Sequence, residues 1–205
     1  MAYFPMFVDM EKKNCLIVGG GKVALRKVKV MKDFGAIIKV VAPVVCKEIQ
    51  EISQITIEER SFIEEDLKGM DMVIAATDNA EQNHEISVKC NALHIPINAV
   101  DQIEDCSFIF PSYVYSKDLV AAVSSGGKSP VMTQYIKAFL QEVMTDHLGD
   151  LTDYLGSIRE EVKSKVDTEA KRKLVYQKMM HIGLEQEENP SHEQLLEAIE
   201  EVNHL

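Results

Sequence analysis

Basic residues are scarce in this 205-residue chain: 22 Lys and Arg stand against 33 Asp and Glu, a formal charge of −11. Contact with a polyanion needs clustered cations, so no nucleic acid is expected as a partner. Long hydrophobic runs are also lacking; the longest fall far short of the roughly 20 residues a membrane span requires, and no membrane is expected. The opening Met1-Ala2-Tyr3-Phe4-Pro5 has no basic segment followed by an apolar one, so no signal peptide is read. Cys15, Cys46, Cys90 and Cys106 lie 31, 44 and 16 positions apart with no C-x-x-C pair. That spacing suits reduced core thiols in a cytoplasmic protein better than a zinc site or a disulfide framework. The six histidines show no metal-ligand spacing such as H-x-x-x-H, so no metal site is expected. Repeats and low-complexity tracts are absent as well.

What is present is an ordinary globular balance, 46% hydrophobic and 27% charged, which argues against disorder. The charge is uneven. Residues 1–149 carry 20 acids and 15 bases, whereas residues 150–205 carry 13 acids and 7 bases. Residues 185–205 hold seven acids and no Lys or Arg. Composition and apolar pattern change together near Gly149-Asp150.

Up to about residue 120 the chain alternates strands with helices. Asn14–Val18 is a short apolar run ending in three glycines, as a buried parallel strand would be. Ala24, Val28 and Met31 recur at helical spacing, and Gly35 is a plausible stop. Residues 36–41 and 71–76 read as the second and third strands, with a helix over about 79–93, and 95–100 as the fourth. This pattern predicts a doubly wound parallel sheet. Two β-prone runs then follow, Ser107–Val114 and Leu119–Ser124, joined by Tyr115-Ser116-Lys117-Asp118 as a hairpin. After Pro130 nearly everything is helical. Ser191-His192-Glu193-Gln194 is a capping box, and Leu195, Leu196, Ile199 and Val202 form an apolar stripe that needs covering, by the chain's own core or by a partner.

Gly19-Gly20-Gly21-Lys22-Val23-Ala24 has the form G-x-G-x-x-A, directly after a strand and opening a helix. Gly19 permits the tight turn, Gly21 lets the backbone approach a pyrophosphate, and Ala24 allows close helix–strand packing. The exposed N–H groups and helix dipole favour negative charge. Dinucleotide binding is the function predicted here. The acid expected about 20 positions on, to hold the adenosine ribose, is missing: the second strand ends Val40-Val41-Ala42-Pro43-Val44. That site therefore does not choose between NAD and NADP. Lys22, Arg26, Lys27, Lys29 and Lys32 read as a solvated helix face. Thr77-Asp78 lies at the strand edge where open α/β sheets bind ligands, or caps the next helix. Asn98-Ala99-Val100-Asp101 reaches the same edge and offers a carboxylate for proton transfer. Ser124-Ser125-Gly126-Gly127-Lys128 is either a flexible joint or an anion-binding nest facing that cleft.

Together Tyr3–Phe7, Cys15–Gly21, Ala75–Asp78, Asn98–Asp101, Phe108–Ser112 and Val123–Pro130 resemble the precorrin-2 dehydrogenase family, also found as the N-terminal part of siroheme synthase. The resemblance covers about residues 1–160. It implies a Rossmann-type doubly wound sheet with a small β-rich dimerisation region and a helical C-terminal domain. The domains would be 1–112 for NAD binding, 113–149 for dimerisation and the substrate cleft, and 150–205 for the helical part. It implies NAD-dependent oxidation of precorrin-2, a tetrapyrrole, to sirohydrochlorin by a cytoplasmic homodimer; some members also insert ferrous iron. Lys22, Val23, Pro43, Val44, Thr77 and Asp78 would contact NAD, with Gly19, Gly20, Gly21, Ala24 and Asn98 around it. Ser124, Ser125, Gly126, Gly127 and Lys128 would meet the substrate's carboxylates. Asp101 matches the family's acid/base, but some relatives carry an acid four residues later, where this chain has Asp105; Asp101 is preferred because it directly ends a strand. A non-catalytic NAD-sensing domain fits the glycine turn equally well, though it leaves Asp101 and the serine–glycine loop without a chemical role.

Overall fold

Asn14–Val18 forms β1, the middle strand of a five-stranded parallel sheet, in the computed structural model, which describes residues 3–205. Its neighbours are β2 (Ile37–Val41), β3 (Thr56–Glu58), β4 (Met72–Ala75) and β5 (Ile97–Ala99), in the order β3-β2-β1-β4-β5. Successive side chains of a strand point to opposite faces, and both faces are covered here. Cys15 and Ile17 pack with Ala24 and Val28 of α1 (Lys22–Asp33). Leu16 and Val18 pack with Ile86 and Cys90 of α3 (Ala80–Ala92). A short α2 (Lys47–Gln50) follows β2. A parallel sheet with covered faces explains why its strands read as continuous apolar runs rather than alternating ones.

The sheet has five strands where four are legible from the sequence. The additional one, β3, is a three-residue edge strand, Thr-Ile-Glu, too short and too polar to announce itself. The last strand stops at Ala99, so Asp101 lies in the turn beyond it, with φ of 62°. The run expected as a strand from Ser107 begins pairing only at Ser112. Phe108 and Phe110 instead pack as irregular chain against the first face of the sheet, with ring centroids 5.4 Å apart.

Residues up to Phe110 form one compact unit and Pro111–Leu205 a second. The second opens with an antiparallel hairpin, β6 (Ser112–Ser116) and β7 (Leu119–Val123), whose turn is narrowed to Lys117-Asp118 by the pairing of Ser116 with Leu119. Five helices follow: α4 (Pro130–Val143), α5 (Asp146–Ser157), α6 (Arg159–Lys165), α7 (Glu169–Gln186) and α8 (His192–Asn203). The change in composition at Gly149-Asp150 falls inside α5. Hairpin and α5 meet closely, since a Cβ at Gly149 would lie 2.3 Å from Ser116 Oγ. The capping box at the start of α8 is formed, Ser191 Oγ accepting from Gln194 N–H at 3.2 Å and Gln194 Oε1 from Ser191 N–H at 2.8 Å. Leu195, Ile199 and Val202 are covered by Val162 of α6 and Val175 and Met179 of α7, so this stripe is core, while Leu196 is 40% exposed. Among the described residues no helix is long and apolar enough to cross a membrane. All four cysteines are free thiols, and burial pushes Cys15 up to about 12 and Cys90 to about 11.

Candidate active site

The carboxyl ends of the sheet strands in the first unit open on a cavity of about 570 Å³, within the usual range for a small-molecule or cofactor site. Gly19, Gly20, Gly21, Lys22 and Val23 line it from the glycine turn, Pro43 and Val44 from beyond β2, Thr77 and Asp78 from beyond β4, and Val100 and Asp101 from beyond β5. The order β3-β2-β1-β4-β5 places β2 and β4 on either side of β1, so this is the crevice where the winding of the sheet reverses.

The three glycines have three different physical reasons. Gly19 has φ of 130°, and a Cβ there would lie 2.2 Å from the Ala76 carbonyl oxygen. A Cβ on Gly20 would lie 2.0 Å from Val44 O, and Gly20 O accepts from Cys46 N–H at 2.8 Å. Gly20 thus draws the chain beyond β2 against the turn, a role that the G-x-G-x-x-A pattern, which leaves this position open, does not suggest. A Cβ on Gly21 would meet no protein atom within 4 Å. Gly21 is the N-cap of α1 and has no side chain to cap the helix, whose first turn also carries no acid. The amides there face open space with a favourable dipole for an anion. A dinucleotide pyrophosphate fits that cradle: two glycines are required by the protein's own packing, and the third faces space that the protein does not fill. Ala24, one turn into α1, is fully buried against the sheet.

Thr77 is tied into a small network. Its hydroxyl donates to Asn83 Oδ1 at 2.7 Å, its N–H donates to the same oxygen at 3.2 Å, and Asn83 Nδ2 donates to Thr77 O at 3.2 Å. The cap of α3 is Asn79, whose side chain accepts from Gln82 N–H at 3.1 Å. Thr77 and Asp78 therefore stand at the cavity rim just before the capping residue. Asn98 is buried, with Nδ2 donating to Phe108 O at 3.1 Å, and it does not line the cavity.

The two candidate acids occupy different surroundings. Asp101 is exposed on the cavity rim. Asp105 is buried in a single turn of 3₁₀ helix (Ile103–Asp105), its carboxylate 2.7 Å from His84 Nδ1 on α3, and its carbonyl accepts from Ser87 Oγ at 2.6 Å. Gln102 Nε2 donates to Ala80 O at 3.1 Å, and Cys106 Sγ accepts from Ala99 N–H at 3.2 Å. The turn that presents Asp101 is thereby fastened to α3 and to the end of β5. The partner of His84 lies 21 positions away, and no local signal in the sequence joins the two.

In the second unit the serine–glycine loop joins β7 to α4. Gly126 and Gly127 have φ of 62° and 81°. Ser124 Oγ accepts from Gly126 N–H at 3.0 Å and Ser125 Oγ from Ser129 N–H at 2.9 Å. Ser129 caps α4, accepting from Met132 N–H at 3.2 Å, and Lys128 is exposed. Of the cations following the glycine turn, Lys27 departs from a solvated face: its ammonium lies 3.4 Å from the centre of the Phe110 ring. Burial, with Arg26 beside it, brings it down to about 8, while the ring acts in the other direction by favouring the charged form.

Residues 6–112 match the family described as "Putative NAD(P)-binding". The siroheme synthase of Nitrosomonas eutropha is 37% identical over 184 residues, spanning 88% of this chain and 39% of that protein. That of Nitrosospira multiformis is 37% identical over 187 residues, with 88% and 40% spanned. The chain belongs to this NAD(P)-binding family, and over most of its own length it is similar to siroheme synthases. It spans about two fifths of the length of the curated relatives it matches. A solved structure titled "SirC, precorrin-2 dehydrogenase" has the same fold over 99% of this chain and 100% of its own, with TM-score 0.69 at 22% identity. The family accounts for the glycine turn, the cavity and NAD as the cofactor they would hold.

Proposed function

We propose that the protein oxidises precorrin-2 to sirohydrochlorin with NAD, in siroheme and related tetrapyrrole synthesis. The observation that carries this reading is the convergence on one cavity of the glycine turn and Asp101. Gly19–Val23, Pro43, Val44, Thr77 and Asp78 would hold NAD, which when bound supplies a nicotinamide ring able to accept hydride. The chain's own task is to position the macrocycle and remove a proton. Asp101 is the base: its carboxylate oxygen takes the proton lost as the conjugation of the substrate extends. A macrocycle covering the rim would supply desolvation, which raises the basicity of a carboxylate. Asp105, engaged with His84, holds the turn and is assigned no proton transfer.

The substrate carries eight carboxylate arms, and an acidic protein must meet them with local donors. Gly126 and Ser129 spend their N–H groups inside the serine–glycine loop. The Lys128 ammonium, the hydroxyl protons of Ser124 and Ser125 and the remaining backbone N–H groups of Ser124–Gly127 are then the groups that meet carboxylates. Lys128→Ala should weaken substrate binding and flatten its salt dependence; no change in either would remove the loop from the substrate site.

We propose further that the working form is a homodimer joined through α4. Val131, Tyr135, Phe139 and Val143 recur every four residues on this helix and are 80, 71, 60 and 50% exposed. An apolar row of this length is the kind of surface that a partner covers. The test of the main reading is incubation with precorrin-2 and NAD, followed by the sirohydrochlorin absorption spectrum. Appearance of that spectrum is the expected result. Its absence, with NAD binding shown separately, would sink the assignment. Adding ferrous iron to sirohydrochlorin without NAD tests the metal-inserting activity that some family members have.

A further inference from the structure

We propose that Phe62 is the adenine platform of the nucleotide site, and that the Lys39–Glu58–Arg60–Asp66 charge cluster is the device that positions it. The inference rests on reading the cavity as the NAD site and assigns recognition at its adenosine end. That end lacks its usual acid, since Val40–Val44 closes β2 without a carboxylate, so something else must hold the adenosine half.

With the pyrophosphate at the glycine turn, the two halves of a dinucleotide diverge over opposite sides of β1. The β4–β5 side carries Thr77 and Asp101. The β2 side is bordered by Pro43, Val44 and Phe62, and Phe62 is the single aromatic residue among those lining the cavity. Phe62 follows β3, the strand that pairs with β2. It is half-buried, packed against the sheet face that includes Val18 and Val41, and it also borders the cavity. Adenine is flat and uncharged, and its aromatic face is what such a side chain recognises.

An aromatic residue in an irregular segment needs support to be a platform, and Phe62 is bracketed by it. The Asp66 side chain is 2% exposed. It accepts from Arg60 Nη1 at 2.7 Å and Nη2 at 2.6 Å, from Lys39 Nζ at 2.9 Å, and from Ile63 N–H at 3.0 Å. Glu58 completes the cluster, lying 2.9 Å from Lys39 Nζ and bonded to Arg60. Two cations and two acids balance, so the cluster carries no net charge. It holds the backbone on both sides of Phe62, at Ser61 O, which accepts from Arg60 Nη1 at 2.9 Å, and at Ile63 N–H. A charged pair sharing planar, two-pronged geometry holds direction as well as distance.

The experiment measures affinity of the full-length protein for NAD, ADP-ribose and nicotinamide mononucleotide by calorimetry. Phe62→Leu keeps the apolar packing and removes the aromatic face. It should weaken NAD and ADP-ribose about tenfold and leave the mononucleotide unchanged. Phe62→Tyr should restore both. Arg60→Met, which loosens the support, should weaken ADP-ribose by a smaller factor, again sparing the mononucleotide, whereas a merely destabilising change would weaken all three. If Phe62→Leu binds NAD and ADP-ribose within twofold of wild type, or if Phe62→Tyr does not restore affinity, the adenine assignment is overturned while the NAD site stands. If the wild-type protein binds neither NAD nor ADP-ribose, the reading of the cavity falls and takes this assignment with it.

Discussion

In the first unit the sheet is covered on both faces, and the loops beyond its strands converge on a cavity; in the second, α4 leaves four large apolar side chains facing solvent at every fourth position. The sheet of the first unit is therefore closed on both faces and open at its carboxyl edge, where a ligand would sit. Its unfilled space lies at the open approach to Gly21 and along the rim bearing Asp101. The second unit closes its own core through Val162, Val175, Met179, Leu195 and Ile199, yet carries a surface that its own helices do not cover. The difference separates two kinds of surface: a concave one, where glycine amides and Asp101 meet apolar walls in a space sized for a small molecule, and an exposed apolar row on one helix, which is the surface of the proposed dimer.

The sharpest way to break this division is through Asp101. Asp101→Asn should lower the hydride-transfer rate by roughly 10²–10⁴, with NAD affinity unchanged, because the side chain lies at the rim and holds no part of the fold. Asp105→Asn should retain most of the rate and lose about 1–3 kcal/mol of stability, because its carboxylate is buried against His84. Rapid-mixing kinetics and urea unfolding on both variants check this. The reverse pattern would exchange the roles of the two acids.

The second unit is tested by placing charge on α4. Tyr135→Glu with Phe139→Glu should convert the proposed dimer to a monomer in sedimentation, and should remove the dependence of the melting temperature on protein concentration that a dimer shows. A wild-type protein that sediments as a monomer at micromolar concentration would leave the apolar row without this explanation.

Within the glycine turn the same logic predicts opposite outcomes at neighbouring positions. Gly20→Ala forces a methyl onto the Val44 carbonyl and should cost about 1–3 kcal/mol, measured by thermal unfolding. Gly21→Ala meets no protein atom and should cost under about 1 kcal/mol, yet it places a methyl where the pyrophosphate would lie, so NAD affinity should fall. Equal effects of the two substitutions on both quantities would contradict the open cradle.

Much of the first unit was legible because glycine spacing and apolar runs are local signals. A turn before a helix leaves its mark within six residues, and Val40–Val44 showed its missing acid by direct inspection. The features that escaped are those made by distant residues. His84 and Asp105, Asn83 and Thr77, and the support around Phe62 each join side chains whose proximity depends on how β4, α3 and the edge strand pack. The apolar stripe of α8 was visible, but periodicity alone does not say what covers a stripe; α6 and α7 do. The row on α4 carries the same periodicity and has no such cover within its unit. Sequence reports the pattern, and only the packed structure tells a core stripe from a surface one.

Ion pairs extend the contrast between the units and give the smallest expected effects. In the second unit Lys117 lies 2.6 Å from Asp150 and 2.7 Å from Asp153, but all three side chains are about half exposed. Lys117→Ala should cost at most about 1 kcal/mol, with the loss shrinking as salt is added. In the first unit the Arg60 guanidinium and its neighbours hold the Asp66 carboxyl well below the usual carboxylate range. The folded state therefore binds fewer protons than the unfolded one through the acid range. The stabilisation is complete above about pH 4 and is lost as pH falls toward the depressed folded value. Asp66→Asn should be less stable than wild type at neutral pH, and the gap should narrow on acidification below about pH 4. Denaturant unfolding at several pH values, at low and high salt, measures both effects together. A gap for Asp66→Asn that is constant with pH would show that the charge of Asp66 does not account for its contribution to stability.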